Sequence, residues 1–289
     1  MIKRIALVTP LKDEESFIGD MVHSILQQKV RPTLWVIVDD GSTDKTPQII
    51  EEYCRSFNFM ELVRLPPRLE RKPGGEGAIG VALTRIDSTQ FDYIARFDAD
   101  LLFEPDYFAR LLKEFESNPH LGIAGGCLYI EKDGQRVLEK APEYHVRGAL
   151  KMYRSECFAQ LGGLATEIGW DTIDEVSAWV WGWETHSFPE IEVIHRRPTG
   201  LGIHETKAYR ERGRAEYLTW SHPFFILLKA AKVALKNPSH GWNFVSGVLY
   251  SYLHRLPRLQ SKEFRRVRRN QQMFRLYQAC SPQAFKHRF

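Results

Sequence analysis

The chain has 289 residues, 43% of them apolar and 26% charged. Both values are typical of globular proteins and exclude a disordered chain, a collagen and a coiled coil. The net charge of +4 hides an asymmetry: residues 255–289 carry ten Lys or Arg against one acid, Glu263, while the other 254 residues carry 30 basic and 35 acidic side chains.

The first half alternates strand and helix signals. Residues 4–8 form a short apolar run, which predicts a buried strand. From 16 to 28 the apolar residues fall at 17, 18, 21, 22, 25 and 26, the spacing of a helix. Strands are predicted at 34–38, 61–65 and 91–97. Helices are predicted at 44–57, with Asp44 as N-cap, at 78–85 and at 105–117, with Pro105 in the first turn. Residues 66–77 read as a loop. This alternation predicts an α/β fold with a largely parallel sheet and helices on both faces.

The four cysteines, Cys54, Cys127, Cys157 and Cys280, are far apart in sequence. That spacing excludes a CxxC redox motif or zinc knuckle and fits a reducing, cytoplasmic compartment. The N-terminal residues lack the long apolar core and cleavage site of a signal peptide. No window is apolar enough to predict a spanning helix.

Ligands of parallel sheets gather beyond the carboxyl ends of the strands. Three strand ends are polar or acidic here: Thr9-Pro10, Asp39-Asp40 and Asp98-Ala-Asp100. Carboxylates at Asp39 and Asp40 can accept hydrogen bonds from a ribose or a base. Gly41 permits a tight turn, and Ser42 or Thr43 can cap the next helix. An ordinary capped turn would look the same. Asp98 and Asp100 can share a divalent cation with a diphosphate, because hard cations prefer oxygen ligands. Without a cation, two such acids repel each other; a solvated acidic turn is the plainer alternative.

Taken together, these segments resemble the inverting family 2 glycosyltransferases of GT-A fold. The resemblance rests on Val8-Thr-Pro-Leu-Lys-Asp-Glu-Glu15, Asp39-Asp-Gly-Ser-Thr-Asp44 and Asp98-Ala-Asp100, in order and spacing, and spans about residues 1–200. Where the family often has an aromatic residue and an asparagine, this chain has Leu11-Lys12-Asp13. The resemblance implies a nucleoside-diphosphate sugar donor and a divalent cation, Mn or Mg. It places Thr9, Pro10, Leu11, Glu14, Asp39, Asp40, Arg71 and Asp98 on the nucleotide sugar. It places Asp100, with Asp98, on the metal, and His195 as a late metal or phosphate contact. It implies a catalytic base eleven residues before a glycine. Counting back from Gly182 gives Asp171, although the family's preceding Glu is Trp170 here; Asp174 and Glu175 remain open as the base. Gly162-Gly163 would turn the chain before the acceptor segment. Trp179, Trp181 and Trp183 alternate as on one strand face or on a partly exposed helix, in the core or against a sugar.

Other classes leave weaker marks. Gly75-x-Gly77-x-x-Gly80 matches an NAD-dependent oxidoreductase fingerprint, but it follows a loop rather than a strand. A sugar nucleotidyltransferase needs a Gly-rich loop after the first strand, and Thr9–Glu15 has no glycine. Clustered strand-end acids argue against a non-catalytic binding module.

The expected organisation is a catalytic domain over 1–215, with a nucleotide half (1–103) and an acceptor half (104–215), followed by a helical basic extension over 216–289. In that extension, 223–235 and 242–253 are apolar, and Lys229 and Lys232 fall on one helical side. Apolar helices with cationic flanks suit an anionic membrane surface, so 223–289 is expected to associate peripherally with the inner face of the plasma membrane. A solvated basic helix packed on the body is the other reading. The tail has no nucleic-acid-binding signature. A saccharide or lipid-linked acceptor, in envelope or exopolysaccharide synthesis, follows from a membrane-bound transferase.

Overall fold

The computed structural model describes residues 3–67, 76–165, 168–197, 205–258 and 261–280. The chain divides into two compact units. One comprises 1–166 and 181–198, the other 167–180 and 199–289.

The first unit is built on one nine-stranded sheet. β1 (Ile5–Leu11) and β2 (Leu34–Asp39) are almost wholly buried. Such continuous apolar runs belong to parallel strands covered on both sides. β3 (Met60–Arg64), β2, β1 and β4 (Tyr93–Phe97) pair in parallel in that order. The sheet then changes sense. β8 (Leu150–Arg154) runs antiparallel to β4 and to β6 (Leu121–Lys132). β9 (Glu184–His195) is parallel to β6, and the short β5 (Leu101–Phe103) closes the edge antiparallel to β9. β7 (Gln135–Leu138) folds back on β6 through Asp133 and Gly134, at φ 51° and 74°. Two consecutive positive φ values are what a tight hairpin turn demands.

The helices connecting these strands are α1 (Ile18–Leu26), α2 (Thr46–Ser56), α3 (Glu76–Leu83), α4 (Tyr107–Ser117) and α5 (Ser155–Leu161). The main core lies where α1 and α4 meet the sheet. Phe97 stacks on Phe108 at 5.6 Å and on Phe103 at 4.8 Å, and Tyr93 leans on Phe115 at 4.8 Å. Each such ring removes some 150–250 Å² from water and fixes the helix over the strand ends.

Several sequence expectations shift. Asp44 does not open α2; Lys45 does, and the Asp44 carboxylate accepts the Thr46 N–H at 2.9 Å. Pro105 precedes α4 rather than sitting in its first turn. The three tryptophans do not share one strand face. Trp179 ends a helix, Trp181 stands exposed in the turn after it, and Trp183 donates its indole N–H to Gln160. Gly162 and Gly163 do form a turn, both at positive φ.

The second unit is helical: α6 (Trp170–Val180), α7 (Glu205–Leu218), α8 (Pro223–Lys236), α9 (Pro238–Leu253) and α10 (Lys262–Cys280). A β-carbon on Gly247 would collide with the Arg210 carbonyl, so α7 and α9 touch backbone to backbone there. Glu216 on α7 is buried and ion-paired to Lys229 of α8 and to Arg268 of α10 at 3.7 Å. Burial works to raise its pKa, but Lys229 and Arg268 outweigh it and hold the carboxyl down to about 2. Lys229 therefore turns inward, away from the side that Lys232 presents to solvent. Arg258 is caged by the rings of Tyr217, Trp220 and Tyr252. Part of the basic tail is thus spent inside its own unit. Among the described residues, no helix is long and apolar enough to cross a membrane.

Candidate active site

The parallel register puts the predicted strand ends side by side. Leu11 of β1 lies opposite Asp39 of β2, and the Asp40 N–H donates to the Leu11 carbonyl at 2.8 Å. Asp39 is buried, and its Oδ1 accepts from the backbone N–H and the hydroxyl of Ser42. Gly41, at φ 75°, makes this hairpin-like return possible. A β-carbon there would lie 2.6 Å from the Pro66 carbonyl oxygen. Thr9 is buried with its hydroxyl accepting from the Trp35 indole N–H at 3.0 Å, and Pro10 and Leu11 are buried beside it.

The loops after β1 and β2 are laced together. The Thr43 N–H donates to Asp13, and the Asp13 N–H donates to the Ser42 hydroxyl. Glu14 and Thr46, and Glu15 with Asp44 and Lys45, continue the exchange. Asp13 takes φ 53° to fit, a conformation that Asp tolerates better than most residues. This bonding holds Glu14 beneath the loop, 2% exposed.

The third strand end completes the constellation. Asp98 follows β4, half-buried, with Oδ1 3.0 Å from Arg96. Asp100 precedes β5 and is 5% exposed. Because β5 pairs with β9 as Leu101 opposite His195, the residues that end β9 arrive beside it. Asp100 Oδ2 lies 3.1 Å from Arg197 Nη2, and Oδ1 lies 3.7 Å from His195 Nε2. The same Arg197 nitrogen donates to Glu14 Oε1 at 2.6 Å, and the guanidinium covers the Phe17 ring at 5.4 Å. His195 Nδ1 is 3.0 Å from Glu139 Oε2, a bond that orients the ring. Burial, and then the charge of Asp98, push the Asp100 carboxyl above its ordinary range; His195 and Arg197 pull it back in part. Burial works against the charge of Arg197, but Glu14 and Asp100 hold its pKa above the ordinary value.

Of the residues singled out from the sequence, the fold brings Glu14 and Asp100 together on Arg197, and His195 beside Asp100. Arg197 and Glu139 were missed; only the register of β5 on β9 brings them there. Arg71 lies outside the described residues. So does Gly75, while Gly77 and Gly80 sit inside α3. The base candidates lie on α6 in the second unit. Asp171 is in its first turn, and Asp174 and Glu175 are buried.

Among the described residues, no group of three His, Cys, Asp or Glu is arranged to hold a metal. The Arg197 guanidinium and the His195 imidazole face Asp100, and Arg197 sets a fixed positive charge against its Oδ2. Asp98 and Asp100 carry carboxylate oxygens, the hard donor type that Mn and Mg take.

Residues 6–163 match the model of glycosyl transferase family 2, and the chain belongs to that family. It is 31% identical over 118 residues to the beta-monoglucosyldiacylglycerol synthase of Synechocystis, covering 39% of this chain and 23% of that one. It is 27% identical over 131 residues to the putative glycosyltransferase EpsH of Bacillus subtilis, covering 45% and 36%. The poly-beta-1,6-N-acetyl-D-glucosamine synthase of Staphylococcus epidermidis is 25% identical over 125 residues, covering 43% and 28%. The matched stretch therefore spans well under half of each relative. Among solved structures, the mannosyltransferase PcManGT from Pyrobaculum calidifontis, in complex with GDP-Man and Mn2+, superposes with a TM-score of 0.57 at 16% identity, over 98% of this chain and 89% of that chain. S. aureus TarS 1-349 in complex with UDP-GlcNAc gives 0.52 at 14%, over 80% and 66%. At such identities these likenesses establish a shared fold.

Proposed function

We propose that this protein transfers a sugar from a nucleoside-diphosphate sugar to an acceptor hydroxyl, with inversion, in polysaccharide or glycolipid synthesis. The observation that carries the reading is the placement of Asp39 at the end of β2 and of Asp98 just after β4, the two strands that flank β1, with Asp100 two residues on, in a family 2 chain. PcManGT in complex with GDP-Man and Mn2+ supports both the donor class and the cation. The names of the diacylglycerol and poly-N-acetylglucosamine synthases support the acceptor classes.

Thr9, Pro10, Leu11, Asp39 and Asp40 would line the nucleotide side, with Arg71 from the following loop. Glu14 would hold Arg197 in place there. Asp100 and Asp98, with His195 beside them, would hold a divalent cation, which when bound neutralises charge on the leaving diphosphate. Asp171, or Asp174 in its place, takes the proton from the acceptor hydroxyl. The freed oxygen attacks the anomeric carbon from the side opposite the diphosphate. The bond to the diphosphate breaks, and its electron pair stays on the phosphate oxygen. Arg197 supplies a fixed positive charge near that oxygen's path.

A thermal-shift panel tests this: UDP, GDP, dTDP, CMP and NAD, each with and without Mn2+. A ligand at a hundred times its Kd stabilises by about 2.7 kcal/mol. A metal-dependent shift with one nucleoside diphosphate is expected. A metal-independent shift with NAD alone would overturn the reading.

A further inference from the structure

α8 presents apolar residues to both sides. Ile226 and Ala230 are buried against Phe244 and Val248 of α9. On the opposite side Phe224, Leu227, Leu228 and Leu235 are exposed, Leu227 to 67% and Leu235 to 89%. Positions 224, 227, 228, 231 and 235 follow one helical stripe. α9 repeats the pattern: Trp242, Leu249 and Leu253 share a stripe and are exposed. A soluble surface rarely leaves so much contiguous aliphatic and aromatic area in water without a partner.

The charges select the partner. Residues 223–280 contain eleven Lys or Arg and one acid, Glu263. Lys229 and Arg268 are occupied by Glu216, and Arg258 by its aromatic cage. Lys232 and Lys236 on α8, and Arg255 just after α9, remain exposed around the stripes. A second copy docked face to face would set these cations against their own images. An anionic surface would meet them with opposite charge, and exposed Trp242 and Tyr250 suit the boundary between headgroup and acyl chain.

We propose that the exposed stripes of α8 and α9 form a docking face for an anionic lipid bilayer, lying in its interface rather than crossing it. The apolar stripe enters the outer few ångströms of the bilayer, and Lys232, Lys236 and Arg255 meet the headgroups. The proposal goes beyond the glycosyl transfer reading and needs neither donor nor acceptor, so the two can fail separately.

Flotation of the full chain with vesicles tests it. The wild-type protein should float with phosphatidylcholine vesicles containing phosphatidylglycerol and stay behind with phosphatidylcholine alone. The variant Lys232→Gln/Lys236→Gln should lose about 25-fold in partition to the anionic vesicles. Leu227→Ser/Leu235→Ser should lose at least about tenfold, with an unchanged melting curve because both sites are exposed. The same proteins are weighed by light scattering without lipid. Flotation of the serine variant equal to wild type overturns the proposal. So does a failure of the wild type to float, or a dimer in solution that these variants abolish, which would make the face an interface between copies.

Discussion

Removing Arg197 should destabilise the first unit and make it respond more strongly to a divalent cation. Its guanidinium is the counter-charge shared by Glu14 and Asp100, whose side chains are 1% and 7% exposed. Taking away one partner of a buried pair leaves a charge in a poor solvent, at about 3–5 kcal/mol. Arg197 itself is 30% exposed, so water screens part of the interaction and the lower end, about 3 kcal/mol, applies. In a unit of this size, that lowers Tm by about 6–12 °C. Calorimetry of Arg197→Ala at neutral pH and low salt measures it. Arg197→Lys keeps the charge but not the guanidinium Nη2 that contacts both acids, so it should recover only part of the loss. Added Mn2+ can replace the missing charge beside Asp100. It should therefore raise the Tm of Arg197→Ala more than that of wild type. A Tm within about 1 °C of wild type, taking the size relation above, or an equal response to Mn2+, would refute the reasoning.

Asp171→Asn should retain metal-dependent nucleotide binding and lose transfer by about two to four orders of magnitude; preserved turnover in a radiolabelled-sugar assay would move the base to Asp174 or Glu175. Glu216→Gln should cost about 3 kcal/mol in urea unfolding of the second unit, by leaving Lys229 and Arg268 unopposed. The folded Glu216 pKa lies below the unfolded value, so its contribution is complete above about 4.5 and is lost as pH falls toward about 2; a wild-type stability that does not fall across that window faster than the variant's contradicts the pairing. Gly41→Ala should destabilise by about 2 kcal/mol, from a positive φ and from contact with Pro66, and should weaken nucleotide binding by disturbing the Asp39–Ser42 turn; a melting curve identical to wild type would show that the loop yields freely.

The half of the sheet from β1 to β4 was legible because β1, β2 and β4 are buried nearly throughout and the first helix keeps a clean 3.6-residue period. Ile5–Leu11 and Leu34–Asp39 admit few other readings. The half from β6 to β9 was not legible. There the strands pair antiparallel and parallel in turn, across long loops, and Gly125-Gly126 interrupts the apolar run of β6. A register shift after Gly126 brings that backbone against the Ile191 carbonyl, a packing reason for glycine that no local pattern shows. For the same reason the acids of the site could be read from strand ends, but their counter-charge could not. Arg197 is 97 positions from Asp100 and meets it only because the strand before one pairs with the strand after the other.

Several carboxylates of this unit are buried at or just beyond strand ends. Glu14, Asp39 and Asp100 are carboxylates buried almost completely. Asp13 holds a positive φ, and Gly41 accepts crowding that no other residue tolerates. Burying three acids near one sheet edge costs several kcal/mol unless something compensates each charge. Ser42 does so for Asp39, and Arg197 for Glu14 and Asp100, while burial and Asp98 keep Asp100 harder to ionise than an ordinary aspartate. A scaffold has no use for such an arrangement, since apolar residues of the same size would stabilise it at least as well. Under the proposed function, a cation would relieve the repulsion between Asp98 and Asp100, and a diphosphate would give Arg197 a further anion to hold. Buried carboxylates with shared counter-charge are the feature that the proposed function explains and that packing alone does not.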